Sequence, residues 1–261
     1  METVLTHKIV GATRHLASRF GYDSFPAKPD YHYVPDYYGK TAHKHVDIRT
    51  IPVFGQIAKD VIDQGNTLLY YDRLYTIYQA LANMGRRNEN DREGMHVAEI
   101  GVYRGGGSYF IASSLRSLGL NDALVHCFDT FQGHVPEDIQ AADTFQKPGM
   151  FDDTQYENVK RYLKPFSSVM LYKGRFQDNC AQISDEKFAF VHLDVDLYEV
   201  TRFCLDFFDK RLVPGSVVIV DDYGFRTCPG VKQAVDEFME TERDYVGFHL
   251  LTGQFIIMKS T

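Results

Sequence analysis

Residues 96–107 read His-Val-Ala-Glu-Ile-Gly-Val-Tyr-Arg-Gly-Gly-Gly, and the fold turns on them. An apolar run of strand length, residues 96–102, breaks into glycines. It passes directly into residues 108–118, whose apolar spacing is helical. Strand, glycine turn and helix form the opening unit of an alternation that continues downstream. LVHCFDT (124–130) predicts a second strand. A long polar connection leads to a helix near 153–163. VMLYKGR (169–175) predicts a third strand and FAFVHLDVD (188–196) a fourth. Residues 198–210 have helical periodicity, Pro214-Gly215 is read as a turn, and SVVIVDD (216–222) predicts a fifth strand. A helix is expected from about 230 to 242. VGFHLLTGQFIIMKS (246–260) reads as two strands broken at Thr252-Gly253, a tight hairpin signal. Upstream, Leu74, Ile77, Tyr78 and Leu81 recur at helical spacing within 68–84, and the polar run GRRNENDREG (85–94) ends that helix. Residues 1–66 read as irregular, with a Pro-, Tyr-, Lys- and His-rich loop or lid over 25–45.

Five strands alternating with helices imply an α/β architecture, a parallel sheet with helices on both faces. The closing hairpin brings the sheet to seven strands and makes one of them antiparallel to its neighbour. A seven-stranded, mostly parallel sheet ending in an antiparallel hairpin is the plan of the Rossmann-like class I methyltransferases. The chain of 261 residues has a net charge of −7 and no long Lys/Arg run, which disfavours nucleic acid and anionic membranes as partners. Cys127, Cys180, Cys204 and Cys228 are far apart and form no CxxC pair, so reduced and mostly buried thiols are expected. The first residues lack a continuous apolar segment, and no stretch approaches the roughly 20 apolar residues of a membrane span. The expected location is cytoplasmic.

Three features carry chemistry. Glycines at the turn after the first strand let a ligand approach the backbone, and the helix N-terminus favours an anionic group. Asp129 ends the second strand, where an acid holds ribose hydroxyls in nucleotide-binding sheets. Asp194 and Asp196 stand two apart at the end of the fourth strand, and Asp221 and Asp222 end the fifth. Adjacent strands would gather three or four carboxylates at the carboxyl edge of the sheet. Carboxylates so close repel unless a proton or cation intervenes, and an all-oxygen set suits Mg²⁺ or Mn²⁺ better than zinc. His192 is read as a buried, hydrogen-bonded core histidine, and His43-Lys44-His45 as a solvated face or lid edge.

The stretches AEIGVYRGGGS, CFDTFQG, Gly174-x-Phe176-x-Asp178, LDVDLYEVT, VIVDDYG and CPGVKQAVDEF together resemble the macrocin O-methyltransferase family over about residues 67–261. The resemblance implies methyl transfer from S-adenosylmethionine to a sugar hydroxyl of a small-molecule glycoside or nucleotide sugar. By position it implies that Asp194, Asp221 and Asp222 bind the metal and that Asp196 is the general base. Glu99, Gly101 and Asp129 match cofactor-binding positions, and Asp178 a position near the adenine. Three places depart from the common pattern. Val195 stands between the two acids, Asn179 follows Asp178, and the loop after Phe131 reads Gly-His-Val-Pro instead of Gly-Leu-Pro. The organisation expected is an N-terminal extension over 1–66, serving as lid or oligomer contact, and a methyltransferase domain over 67–261. A homo-oligomer is expected, dimer or higher. The alternatives are a metal-dependent methyltransferase of a catechol or other phenol, a non-catalytic protein of the same fold, and a metal-dependent hydrolase or hydroxylase.

Overall fold

The computed structural model describes residues 46–86, 95–241 and 244–260, and Ile48–Thr261 form one compact unit. Its seven strands are β1 (Met95–Ile100), β2 (Val125–Asp129), β3 (Val169–Lys173), β4 (Lys187–Leu193), β5 (Leu212–Val220), β6 (Tyr245–His249) and β7 (Phe255–Lys259). They make one sheet in the order β3-β2-β1-β4-β5-β7-β6. The first five are parallel, and β7 runs antiparallel to both β5 and β6. The last strand therefore inserts between its hairpin partner and the parallel sheet, which leaves β6 on the edge.

Side-chain alternation along the strands builds two cores. Val97, Val125, Cys127, Val217 and Ile219 face one layer, made by α1 (Phe54–Asp63), α2 (Tyr71–Met84) and α3 (Gly106–Ser117). Their neighbours Ala98, Phe128, Val191, Val218 and Val220 face the other. There α6 (Tyr198–Asp209) and α7 (Pro229–Thr241) supply Cys204, Leu205, Phe208, Val231 and Val235. Two shorter helices, α4 (Tyr156–Leu163) and α5 (Phe176–Asn179), lie on either side of β3 in sequence.

Two expectations change. Residues 48–66 belong to the compact unit, and the expected boundary at 66/67 falls inside it. Phe54, Ala58 and Val61 are fully buried along one face of α1, a helical spacing overlooked beside the irregular residues before it. The remainder of the 1–66 extension, up to residue 45, lies outside the described residues. Pro214-Gly215 sits within β5 instead of before it. The β4–β5 register slips there, pairing Phe188 with Leu212 but Phe190 with Val217, so the turn signal marks a bulge inside a strand. Among the described residues, no helix is long and apolar enough to cross a membrane.

Candidate active site

The carboxyl ends of β1, β2 and β4, with the segments after β3 and β5, open into one cleft of about 260 Å³, a small-molecule scale. Glu99, Gly101, Asp129, Asp194, Asp196 and Asp222 all line it. Asp178 does not. Its side chain is 62% exposed, with Arg175 Nη1 at 3.8 Å, and the wall at that corner comes from Arg175, Gln177 and Asp138 instead.

The glycine turn serves the chain's own packing as well as a ligand. Gly101 adopts φ 92°, and a Cβ there would meet the Asp194 carbonyl oxygen at 1.8 Å. Only glycine lets β1 and β4 end side by side. At Gly107 a Cβ would meet Glu99 Oε1 at 2.1 Å, so the start of α3 lies directly on the Glu99 carboxylate. Ser108 Oγ donates to Glu99 Oε2, and His192 Nδ1 is 3.2 Å from Oε1. Asp129 is held by backbone donors: Val102 N and Tyr103 N each at 2.8 Å from Oδ2, and Phe131 N at 2.6 Å from Oδ1. Burial raises its pKa against the pull of those three N–H groups. A ribose hydroxyl would use the lone pairs that remain.

Beneath the acids runs a buried relay. His192 is fully buried between Glu99 and Asp221, with Nε2 3.5 Å from Asp221 Oδ1. Burial works against its charged form, but the hydrogen bonds and charges of Asp221 and Glu99 prevail and push it up to about 10. It is the core histidine expected. Asp221 is fully buried, and each oxygen accepts a hydrogen bond: Arg73 Nη1 donates to Oδ2, and Gln254 Nε2 donates to Oδ1 at 2.7 Å. Burial opposes ionisation of Asp221, but His192, Arg73 and Gln254 together hold it below the usual carboxylate range. Asp194 and Asp222 go the other way. Burial, reinforced by the neighbouring carboxylates, lifts both well above that range.

Asp194, Asp221 and Asp222 can each offer an oxygen within 4.8 Å of the others. Asp222 Oδ2 is buried with no hydrogen-bond partner among the described residues. Three clustered carboxylates, two of them driven toward protonation and one with an orphaned oxygen, fit a hard divalent cation such as Mg²⁺ or Mn²⁺. A second triad, Asp196, Asp222 and Cys228, is as compact. It is the poorer candidate for a hard cation, because it offers a thiol sulfur in place of a third carboxylate oxygen. Cys228 Sγ instead donates to Asp196 Oδ1 at 3.2 Å. Asp196 itself adopts φ 61°, in the left-handed region that aspartate enters more readily than most residues other than glycine.

The long connection after β2, residues 132–152, is well anchored. Asp138 accepts from Arg175 Nη2 at 2.6 Å and Gln177 Nε2 at 3.0 Å. Asp143 Oδ1 accepts from Tyr198 N at 2.9 Å, and Gln146 Nε2 donates to the Thr227 carbonyl at 3.0 Å. From this loop His134 reaches Asp196, and from α2 Arg73 reaches Asp221. Sequence reasoning missed Arg73, His134, Gln254 and Cys228. Arg73 and Gln254 sit in stretches read as plain helix and hairpin, while His134 lies in the Gly-His-Val-Pro departure after Phe131, which pointed to the position without a role. Cys228 had one pointer, the CPG stretch after the acid pair.

A 3-2-1-4-5-7-6 sheet with its cleft at the first glycine turn defines the class I methyltransferase fold, here seen also in solved methyltransferase structures. Within it, the chain belongs to the Macrocin-O-methyltransferase (TylF) family, whose sequence model matches residues 16–244. That match begins well upstream of the 67–261 over which the motifs are legible. One relative, the demethyldecarbamoylnovobiocin O-methyltransferase of Streptomyces niveus, is 30% identical over 183 residues, 66% of this chain and 67% of the relative. Another, the 8-demethyl-8-(2,3-dimethoxy-alpha-L-rhamnosyl)-tetracenomycin-C 4'-O-methyltransferase of Streptomyces olivaceus, is 33% identical over 141 residues, 51% of this chain and 54% of the relative. The chain thus spans about half to two thirds of the length of the curated relatives it matches. The solved O-methyltransferase NovP superposes with a TM-score of 0.63 at 27% identity, covering 75% of this chain and 82% of that one.

Proposed function

We propose that this protein transfers the methyl group of S-adenosylmethionine to a hydroxyl of a sugar, carried by a small-molecule glycoside or a nucleotide sugar. The observation that carries the reading is the meeting, in one cleft, of the glycine turn with Asp129 and the acid cluster of Asp194, Asp196 and Asp222. The Streptomyces olivaceus relative is named for a rhamnosyl-bearing tetracenomycin, which supports a sugar acceptor, and one solved structure of the same fold is a TDP-rhamnose 3'-O-methyltransferase.

The bound donor supplies a methyl carbon on a sulfonium, so transfer breaks one C–S bond and makes one C–O bond. A divalent cation held by Asp194, Asp221 and Asp222 would lower the pKa of an acceptor hydroxyl. The chain's own residues do the rest. Glu99, Gly101 and Asp129 position the donor along the β1 and β2 ends. Asp178, at the outer end of that wall, is retained in the proposal only as a rim contact to the adenine. Asp196 takes the hydroxyl proton. The anchored 132–152 connection excludes water and fixes the line of approach. The proposal includes a cytoplasmic homo-oligomer, with the N-terminal extension as lid or subunit contact. The −7 charge supports a partner set without nucleic acid or membrane.

The test is a mass-spectrometric screen of glycosides and nucleotide sugars with S-adenosylmethionine, with and without Mg²⁺. Methyl transfer should stop in EDTA and return with Mg²⁺ or Mn²⁺. Asp196→Asn should keep cation binding and lose about a hundredfold or more in rate, as expected for loss of a base. Full activity in excess EDTA would overturn the metal assignment. Absence of S-adenosylmethionine binding by calorimetry would overturn the whole reading.

A further inference from the structure

The imidazole of His134 has no part in the cation site or the donor site proposed above. It lines the cleft, and its side chain is only 10% exposed. Nε2 stands 3.4 Å from Asp196 Oδ2, while Nδ1 is buried with no hydrogen-bond partner among the described residues. The backbone around it is fixed. His134 N donates to the Met150 carbonyl, and Gly149 N donates to the His134 carbonyl, each at 2.9 Å. A Cβ on the preceding Gly133 would meet the Met150 oxygen at 2.2 Å, and the His134 ring packs edge-on against Phe151 at 5.3 Å. The ring is thus carried by a closed loop, with Nε2 toward Asp196 and Asp129 also nearby.

We infer that His134 is a positioning residue for Asp196 and a recognition residue for the acceptor. Its Nε2–H steadies the carboxylate, and its Nδ1 accepts a hydroxyl of the sugar. The inference rests on the reading of Asp196 as base. A carboxylate only accepts, so the ring nitrogen facing it carries the hydrogen, and the other nitrogen of a neutral ring is left as an acceptor. A buried acceptor without a donor is costly, and a polyhydroxylated substrate brings the donor. Asp196 has a thiol donor on Oδ1 and the imidazole on Oδ2. Together they set the direction in which the Asp196 carboxylate points. The 3.4 Å separation is long for a hydrogen bond, as such contacts often are before substrate closes the site.

The test uses the full chain with S-adenosylhomocysteine, Mg²⁺ and ¹⁵N-labelled histidine. The His134 signals, assigned by their loss in His134→Gln, should report the Nε2–H tautomer and should move in Asp196→Asn. The opposite tautomer, or signals indifferent to Asp196→Asn, overturns the inference. The second arm measures turnover with TDP-rhamnose as acceptor. His134→Leu should lower kcat roughly tenfold or more and raise KM. His134→Gln, whose amide N–H can replace Nε2–H, should recover kcat while KM stays high. Equal kcat in His134→Leu and wild type overturns the positioning role, and if wild type does not turn over this sugar the spectra decide alone. Full activity of Asp196→Asn together with the expected spectra would instead unseat the base reading and leave the pairing standing.

Discussion

Asp221 stands between the Arg73 guanidinium and the site of the proposed divalent cation. Its oxygens are engaged by Arg73 and Gln254, yet it is also one of three acids placed to share a metal. The Arg73 guanidinium is tied down by its other amine, which donates to the Leu68 carbonyl at 2.8 Å, and it lies over the Phe225 ring at 5.4 Å. It acts as the resident counter-charge of the cluster. Arg73→Gln should therefore cost on the order of 3 kcal/mol in urea unfolding with EDTA present, because a buried carboxylate loses its partner. Mg²⁺ should restore more stability to this variant than it adds to wild type. Equal Mg²⁺ responses in the two proteins would show that guanidinium and cation do not share the site.

At the scale of elements, the connection after β2 is joined to the start of α6 by a buried acid, Asp143. Leu197, at the N-cap of α6, offers no side-chain cap. Asp143 supplies it from outside the helix: Oδ1 accepts from Tyr198 N, while Oδ2 accepts from Gln140 N at 2.8 Å and turns its own loop. Gly230, near the start of α7, makes the room, since a Cβ there would meet Asp143 Oδ1 at 2.1 Å. Asp143→Ala should cost about 1 kcal/mol, the value of a lost cap. It should also speed amide exchange across residues 140–150 beyond what that loss alone explains. Unchanged exchange there would mean that the loop is held by Asp138 and Gln146 without it. Apart from α1 and the short α5, the elements were legible. Each parallel strand was found from an apolar run, and the antiparallel hairpin from Thr252-Gly253. The failures came where a signal was local but its meaning was not. Pro214-Gly215 breaks a pattern equally well as a turn or as a bulge, and only the β4 partner decides which.

For the molecule as a whole, the edge of the sheet away from the cleft carries a titratable chain that bears on stability. His126 on β2 is 2.7 Å from His96 on β1 and 2.9 Å from the Tyr172 hydroxyl on β3. Burial, with a smaller contribution from His96, pushes it down to about 4. Its folded pKa lies below the unfolded value near 6.5, so protons favour the unfolded chain. The stability it contributes is complete above about pH 6.5 and is lost as pH falls from there through 4. Between pH 7.5 and 5 wild type should lose on the order of 1–2 kcal/mol through this group. His126→Gln should lose correspondingly less over the same window, as read from urea midpoints. Parallel losses in both proteins would assign the acid sensitivity elsewhere. This histidine ladder, like the site, exists only because three strands pair in register. By itself the sequence determined the strand–helix alternation, the seven strands with their closing hairpin, the glycine turn and the acids at strand ends. Each is written in a periodicity or a punctuation confined to one element. The tertiary structure alone decided that β7 inserts beside β5, that α1 belongs to the core, and that Arg73 closes on an acid 148 residues away while His134 faces Asp196. The reason is physical: a polar side chain on an otherwise ordinary helix or loop carries no periodic signature of its partner. Its role is set by which distant carboxylate the packed chain brings within reach.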